Sequence, residues 1–207
     1  TATQFLGGNP EFVILNANDA EVYGAEVEAL GRPWEGALAI VRFSWLESQF
    51  LDFVKRDQFL STTGNTPIAF KESQYSGNPL LNSPRFKVSM TLEQTVSIGR
   101  YGSVSLRYDG AWSDITFYDP TKGRGLGNLN GTQFLPEETI AQAAFWLHNL
   151  RLGWRSPNNS FEVALWGRNL ADKAYKTFAF DGSAFRTTTI YFVGDPRTYG
   201  ISVNFNF

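Results

Sequence analysis

At 207 residues, with 15% aromatic and 18% charged side chains and with glycine outnumbering proline by 19 to 9, the chain has the composition of long strands and tight turns rather than of a helical domain. A net charge of -2 leaves no basic footprint for nucleic acid, and the lack of cysteine removes disulfide scaffolds, thiolate metal sites and cysteine nucleophiles. No apolar run approaches the ~20 residues of a membrane-spanning helix, while a mean hydropathy of -0.23 is compatible with a barrel whose strands are only half apolar.

Taken in order, the chain opens at Thr1 without an initiating Met, a basic segment or an apolar leader. A barrel must be exported, so the sequence reads as a mature piece whose upstream part lies elsewhere. A strand end at Gln4-Phe5 and a turn at Gly7-Gly8-Asn9-Pro10 come first. An extended segment from Glu11 to Leu30 follows, in which Tyr23, Ala25, Val27 and Ala29 alternate with Gly24, Glu26 and Glu28. After a turn at 31–36, Ala37, Ala39, Val41, Phe43 and Trp45 share the outward face of the next strand. Arg42 and Ser44 face inward beside Leu38 and Ile40, an apolar pair that suits contact with something held inside the barrel.

Residues 51–84 form a long polar segment, of the kind that is usually functional or disordered. The strand after it opposes Phe86, Val88, Met90 and Leu92 to Arg85, Lys87, Ser89, Thr91 and Glu93, and ends at a turn over 99–102. The return strand sets Val104, Leu106, Tyr108 and Trp112 against Ser105, Arg107, Asp109 and Ser113. A second long segment spans 118–139, and its Gly123-Arg124-Gly125-Leu126-Gly127 run reads as a flexible loop, since no helix follows to supply an anion site. Leu150, Leu152 and Trp154 then face outward and Asn149, Arg151 and Arg155 inward, before a turn at 156–159. Phe161, Val163 and Leu165 oppose Glu162, Ala164, Trp166 and Arg168. Asn169-Leu170-Ala171-Asp172 reads as a strand-ending turn rather than a ligand motif. A third long segment, 176–195, precedes a last strand in which Tyr199, Ile201, Val203, Phe205 and Phe207 alternate with Gly200, Ser202, Asn204 and Asn206.

Short and long connections thus alternate strictly, which predicts an all-β, antiparallel transmembrane β-barrel with its short turns at the periplasmic end and Phe207 on that side. Charges such as Arg42, Lys87, Arg107, Asp109, Arg151 and Glu162 are prohibitive in lipid and are assigned to a wet lumen. His148 is the only histidine, its neighbour Asn149 points to the opposite face, and no G-x-S-x-G element exists. The chain reads as a non-enzyme with no cofactor and no metal. Phe70, Tyr75, Tyr118, Phe134, Tyr175, Phe178, Phe180 and Arg186 lie in or beside the long segments. They are candidates for gripping a ligand at the extracellular mouth, and equally for an upper aromatic girdle or packing between loops.

Several blocks resemble the C-terminal part of the barrel of TonB-dependent outer-membrane receptors. They are Val22-Tyr23-Gly24-Ala25-Glu26-Val27-Glu28 with Arg32-Pro33, Tyr75-Ser76-Gly77-Asn78 leading to Asn82-Ser83-Pro84-Arg85, Trp166-Gly167-Arg168-Asn169-Leu170-Ala171-Asp172-Lys173-Ala174-Tyr175, and Pro196-Arg197-Thr198-Tyr199-Gly200 running to Phe207. The resemblance implies seven or eight strands of a barrel of about 22, with residues 1–207 its C-terminal portion and the plug domain outside this chain. It implies uptake of a scarce nutrient, foremost an iron-siderophore, with cobalamin, haem or an oligosaccharide as other cargo, and TonB as a partner through the N-terminal part. Tyr199, Ile201, Val203, Phe205 and Phe207 are similar to the terminal signal read by the barrel-assembly machinery, and outer-membrane lipid is the expected surrounding. A free-standing small barrel with a structural or adhesive role is the alternative.

Overall fold

The computed structural model describes residues 2–6, 9–13, 19–60, 67–125, 127, 135–182 and 188–206, with side chains placed except at 2–6, 9–13, 57–60, 67–70, 182 and 188. In chain order the strands are β1 (Ala2–Leu6), β2 (Asn9–Val13), β3 (Asp19–Gly31), β4 (Ala37–Asp52), β5 (Val54–Leu60), β6 (Pro67–Gln74), β7 (Phe86–Ser97), β8 (Ser103–Ser113), β9 (Thr116–Phe117), β10 (Ala141–Gln142), β11 (Phe145–Arg155), β12 (Phe161–Arg168), β13 (Lys176–Gly182), β14 (Thr188–Val193) and β15 (Thr198–Phe205). Seven of them form one antiparallel wall in the order β15-β12-β11-β8-β7-β4-β3. Every neighbour in the wall is also the next wall strand along the chain, as an up-and-down barrel requires.

The register turns the alternation within each strand into two faces of a sheet. One row runs Phe43↔Val88↔Trp112↔Trp146, and another runs Leu106↔Leu152↔Leu165↔Ile201. Inward rows run Arg42↔Ser89↔Ala111 and Thr91↔Asp109↔Asn149. A slip of one residue in any strand would exchange its faces, and none occurs where the wall strands pair along these rows. The outward face has no protein cover: Ile201 keeps 69% of its surface, Tyr199 67% and Leu165 52%. His148 lies on this face, its Nδ1 sharing a hydrogen bond with the Tyr108 hydroxyl at 2.7 Å and its ring stacked on Trp146.

The short connections at 32–36, 98–102 and 156–160 gather at one end, where they are stitched together. The Trp34 indole donates to Gln94 Oε1 at 2.6 Å, the Thr95 amide to the Gly36 carbonyl, and the Trp154 indole to the Tyr101 carbonyl. Gly36 and Gly102 have φ of 76° and 95°. The Thr95 carbonyl at the end of β7 and the Arg155 carbonyl at the end of β11 lie where their side chains would be, so only glycine fits.

Two expectations are corrected. The first and third long segments carry strands of their own, β5 paired with β6 and β13 with β14, while β9 and β10 pair where the second segment begins and ends. Gly123 to Gly125 belong to a packed turn, because the Ile140 amide donates to the Gly123 carbonyl at 3.0 Å and the Leu135 amide to Arg124 at 2.9 Å. The small-barrel alternative requires β15 to meet an N-terminal strand, whereas β1 pairs with β2 and the outer edges of β3 and β15 carry no partner among the described residues. The seven-stranded wall is not closed among the described residues.

Candidate functional site

The inner face is where a wet bore would be, and several of its charges are paired. Arg42 Nε donates to Glu28 at 2.6 Å, and Arg107 grips Asp109 in a fork at 2.8–3.1 Å while Thr91 donates to the same carboxylate at 2.7 Å. Glu162 accepts from both Arg151 and Arg155. All are cross-strand or same-face neighbours, which is why period-two spacing suffices to bring them together. Lys87 and Arg168 lack an acid partner among the described residues, and Arg168 instead lies 5.2 Å over the Trp166 ring. Trp166 can lie flat because Gly200, opposite it, has no side chain in the way.

A concavity of about 480 Å³ on this face is bounded by Glu26, Glu28, Arg42 and Lys87 on one side and Phe145 and Leu147 on the other. With Leu38 and Ile40, which pair across to Glu93 and Thr91, these side chains give the bore apolar spots amid its charges. Phe145 and Leu147 escaped the sequence reading because they begin a strand whose lower half alternates cleanly; their parity with Asn149 and Arg151 is the signal that would have found them.

At the opposite end from the short turns, the long segments bind one another. Phe50, Phe53 and Tyr75 form one small core with Leu80 and Leu81, and Tyr118, Ile140 and Ala179 form a second with Leu135. The Asn78 side-chain Nδ2 donates to the Pro120 carbonyl at 2.6 Å and the Asn82 backbone amide to the Phe117 carbonyl at 2.9 Å, tying the first segment to the second. The Tyr118 hydroxyl donates to the Lys176 carbonyl at 2.7 Å, and the Lys176 amide donates to Gln142 Oε1 at 2.6 Å, tying the second to the third. Burial raises the Tyr118 phenol and lowers the Lys176 ammonium, the latter opposed by Glu138.

Of the candidate ligand residues, Tyr75 and Tyr118 are committed to these two cores. Tyr175 stacks on Phe145 at 4.9 Å and covers Gly194. Phe178 is the most open, 38% exposed, and touches Tyr118, Phe180 and Phe192. Phe134 and Arg186 lie outside the described residues, as does the terminal Phe207, and the side chain of Phe70 is likewise not described. Asn169 is buried with φ of 48°, its side chain tied to the Lys173 and Asp195 carbonyls and the Lys173 amide, the strand-ending role expected of it.

Asp119 is a site residue that the sequence reading passed over, although Asp119-Pro120-Thr121 is a local turn pattern. Its carboxylate accepts from the Thr121 hydroxyl at 2.6 Å and from the amides of Thr121 and Gly123. Burial pushes its pKa up to about 6 against those hydrogen bonds, and the Asp181 charge adds to the rise. A raised folded-state pKa means that this group's stabilisation is full below the ordinary carboxylate range and is lost as pH rises through about 6. The amides of Gly123 and Ile140 should therefore exchange more slowly, relative to their intrinsic rates, at about pH 5 than at about pH 7.5. Asp119→Asn should remove the difference; equal protection at both pH values in the parent protein would contradict it.

Residues 1–170 match the family described as TonB dependent receptor-like, beta-barrel. No curated protein matches the sequence. Among solved structures, the ferric yersiniabactin uptake receptor FyuA from Yersinia pestis is similar at 18% identity and a TM-score of 0.65, over 91% of this chain and 24% of that one. The siderophore receptor PiuA from Acinetobacter baumannii is similar at 16% and 0.59, over 90% and 22%. BauA, the ferric preacinetobactin receptor of the same organism, is similar at 17% and 0.55, over 97% and 24%. At such identities the likeness is one of fold, and the chain spans about a quarter of the length of these receptors. The continuous antiparallel wall, its uncovered apolar face, its paired inner charges and the family match over most of its length lead to one assignment: the chain belongs to the TonB-dependent receptor β-barrel family.

Proposed function

We propose that residues 1–207 are the C-terminal portion of the barrel of an outer-membrane receptor that takes up a scarce nutrient, with an iron-siderophore as the leading cargo ahead of cobalamin, haem or an oligosaccharide. The observation that carries this reading is the fold shared with FyuA, PiuA and BauA, each described as a receptor for a siderophore or its ferric form. In it the outer face meets lipid, the short turns and the terminus at Phe207 face the periplasm, and energy arrives from TonB through the N-terminal part of the parent protein. The apolar spots Leu38, Ile40, Phe145 and Leu147 support an inner wall that packs against a plug. Phe178, Phe180 and Arg186, with Phe70 and Phe134, would meet the cargo at the mouth, while Tyr75, Tyr118 and Tyr175 hold the loops that carry them. Tyr199, Ile201, Val203, Phe205 and Phe207 would serve the barrel-assembly machinery as well as facing lipid. Bond-breaking chemistry has no place in this reading: His148 sits on the outer face, bonded to a tyrosine.

The test is accumulation of radioactive iron, offered as a panel of ferric chelates, in cells whose only iron receptor is the full-length parent. Accumulation of at least one chelate that vanishes on loss of TonB, and falls with Phe178→Ala, is the expected result. Uptake of none, or uptake indifferent to TonB, would overturn the iron reading. In the same cells, removal of Phe207 should lower the folded receptor in the outer membrane.

A further inference from the structure

We propose that the wall holds one zwitterionic phospholipid of the periplasmic leaflet, an acyl chain lying in a groove floored by Ala37 and Ala39 and the headgroup seated between Arg32 and Glu35. This rests on the reading above that the outer face meets lipid and the short turns face the periplasm.

The groove is written in one cross-strand row, Gly31↔Ala39↔Leu92↔Tyr108↔Leu150. Two small residues stand beside three large ones, so the surface drops across β3 and β4 and rises again at β7. Gly31 lies on the sheet's edge strand, and a side chain built there would meet nothing within 4 Å. The resulting hollow, about 260 Å³, is lined by Trp34, Ala37, Ala39, Leu92, Tyr108 and Leu150 among others. Trp34 closes its foot, and the indole is held in place by Gln94.

The occupant follows from location and charge. At membrane depth an apolar furrow on the outer face is reached only by acyl chains. At its foot, the turn that supplies Trp34 also exposes one cation and one anion, Arg32 and Glu35. Neither forms an ion pair with the other or with any described residue, although most wall charges are paired. A phosphate with an ammonium a few atoms away, as in phosphatidylethanolamine, satisfies both; an anionic phosphatidylglycerol satisfies Arg32 and leaves Glu35 facing like charge.

The experiment is native mass spectrometry of the full-length parent, delipidated and then titrated with dioleoyl phosphatidylethanolamine or dioleoyl phosphatidylglycerol. One phosphatidylethanolamine should be retained preferentially. Ala39→Phe, which fills the furrow, should lower its occupancy about fivefold or more. Ala29→Phe, on the same face but outside the furrow, should not. Glu35→Gln should abolish the preference over phosphatidylglycerol, and Arg32→Gln should weaken both. Heat-modifiable gel mobility confirms that each variant is folded; should Ala39→Phe not fold, the Glu35→Gln preference decides the matter. Unchanged retention in folded Ala39→Phe, or a preference that survives Glu35→Gln, overturns the proposal. Labelling of Asn158→Cys by an impermeant maleimide reads the orientation separately. Labelling from outside intact cells would overturn both the orientation and the leaflet, whereas protection combined with unaltered lipid retention would remove the groove alone.

Discussion

Leu152→Arg, made in the intact receptor and assayed by urea unfolding in lipid vesicles, should cost about 2–4 kcal/mol of folding stability, the cost of a cation near the bilayer midplane. Leu152 sits between Leu106 and Leu165 in the middle of the wall with 45% of its surface uncovered. An arginine there has no inner-face acid within reach and must be stripped of water or drag water into the hydrocarbon. Ser202→Arg is the matched control. Ser202 pairs with Ala164 on the inner face, so its guanidinium would enter the bore and should cost under about 1 kcal/mol. Equal effects at the two sites would mean that the two faces are not lipid and water, and the account of the wall would fail with them.

Glu162→Gln should be the most damaging change on the inner face, at about 1.5–3 kcal/mol. Its carboxylate is only 15% exposed and serves two arginines at once, Arg151 at 33% and Arg155 at 53%. Neutralising it leaves two like charges on the same face of β11, with one weak acceptor opposite them on β12. Glu28→Gln breaks a pair in which both side chains are 53% exposed, and that well-hydrated pair should be worth under about 1 kcal/mol. Adding Arg155→Gln to Glu162→Gln should restore part of the loss, since much of it is repulsion rather than a missing bond. The assay is again urea unfolding in vesicles. A loss at Glu162 no larger than at Glu28 would show the three-residue cluster to be fully solvated.

The wall was legible because its pattern is local. Alternation from Val41 to Trp45, or from Tyr199 to Phe205, needs only neighbouring residues and a strand geometry, and lipid imposes the same demand on every outward position. The turn at 156–159 announces itself through Pro157, Asn158 and Asn159, and the structure places it where expected. The mouth was less legible for the same reason reversed. Above the membrane no lipid face enforces a period of two, and β14 runs through Ile190, Tyr191, Phe192 and Val193 without a polar gap. Its pairing with β13 is visible only once the hairpin is folded. Whether Tyr75 and Tyr118 grip a ligand or pack between loops could not be read locally, because the partners that bury them, Phe50 in one case and Ile140 with Ala179 in the other, lie at least twenty residues away along the chain.

The amino-acid sequence alone determined the fold class, the two faces of each wall strand, the order of short and long connections and the family resemblance, since all of these are written in intervals of a few residues. Only the tertiary structure decided the register that joins Glu162 to two arginines, the locking together of the three long segments, the buried position of Asp119 and the furrow beside Ala39. Those depend on which residues of different strands come to lie side by side, and that is settled by the backbone ladder of the whole wall at once.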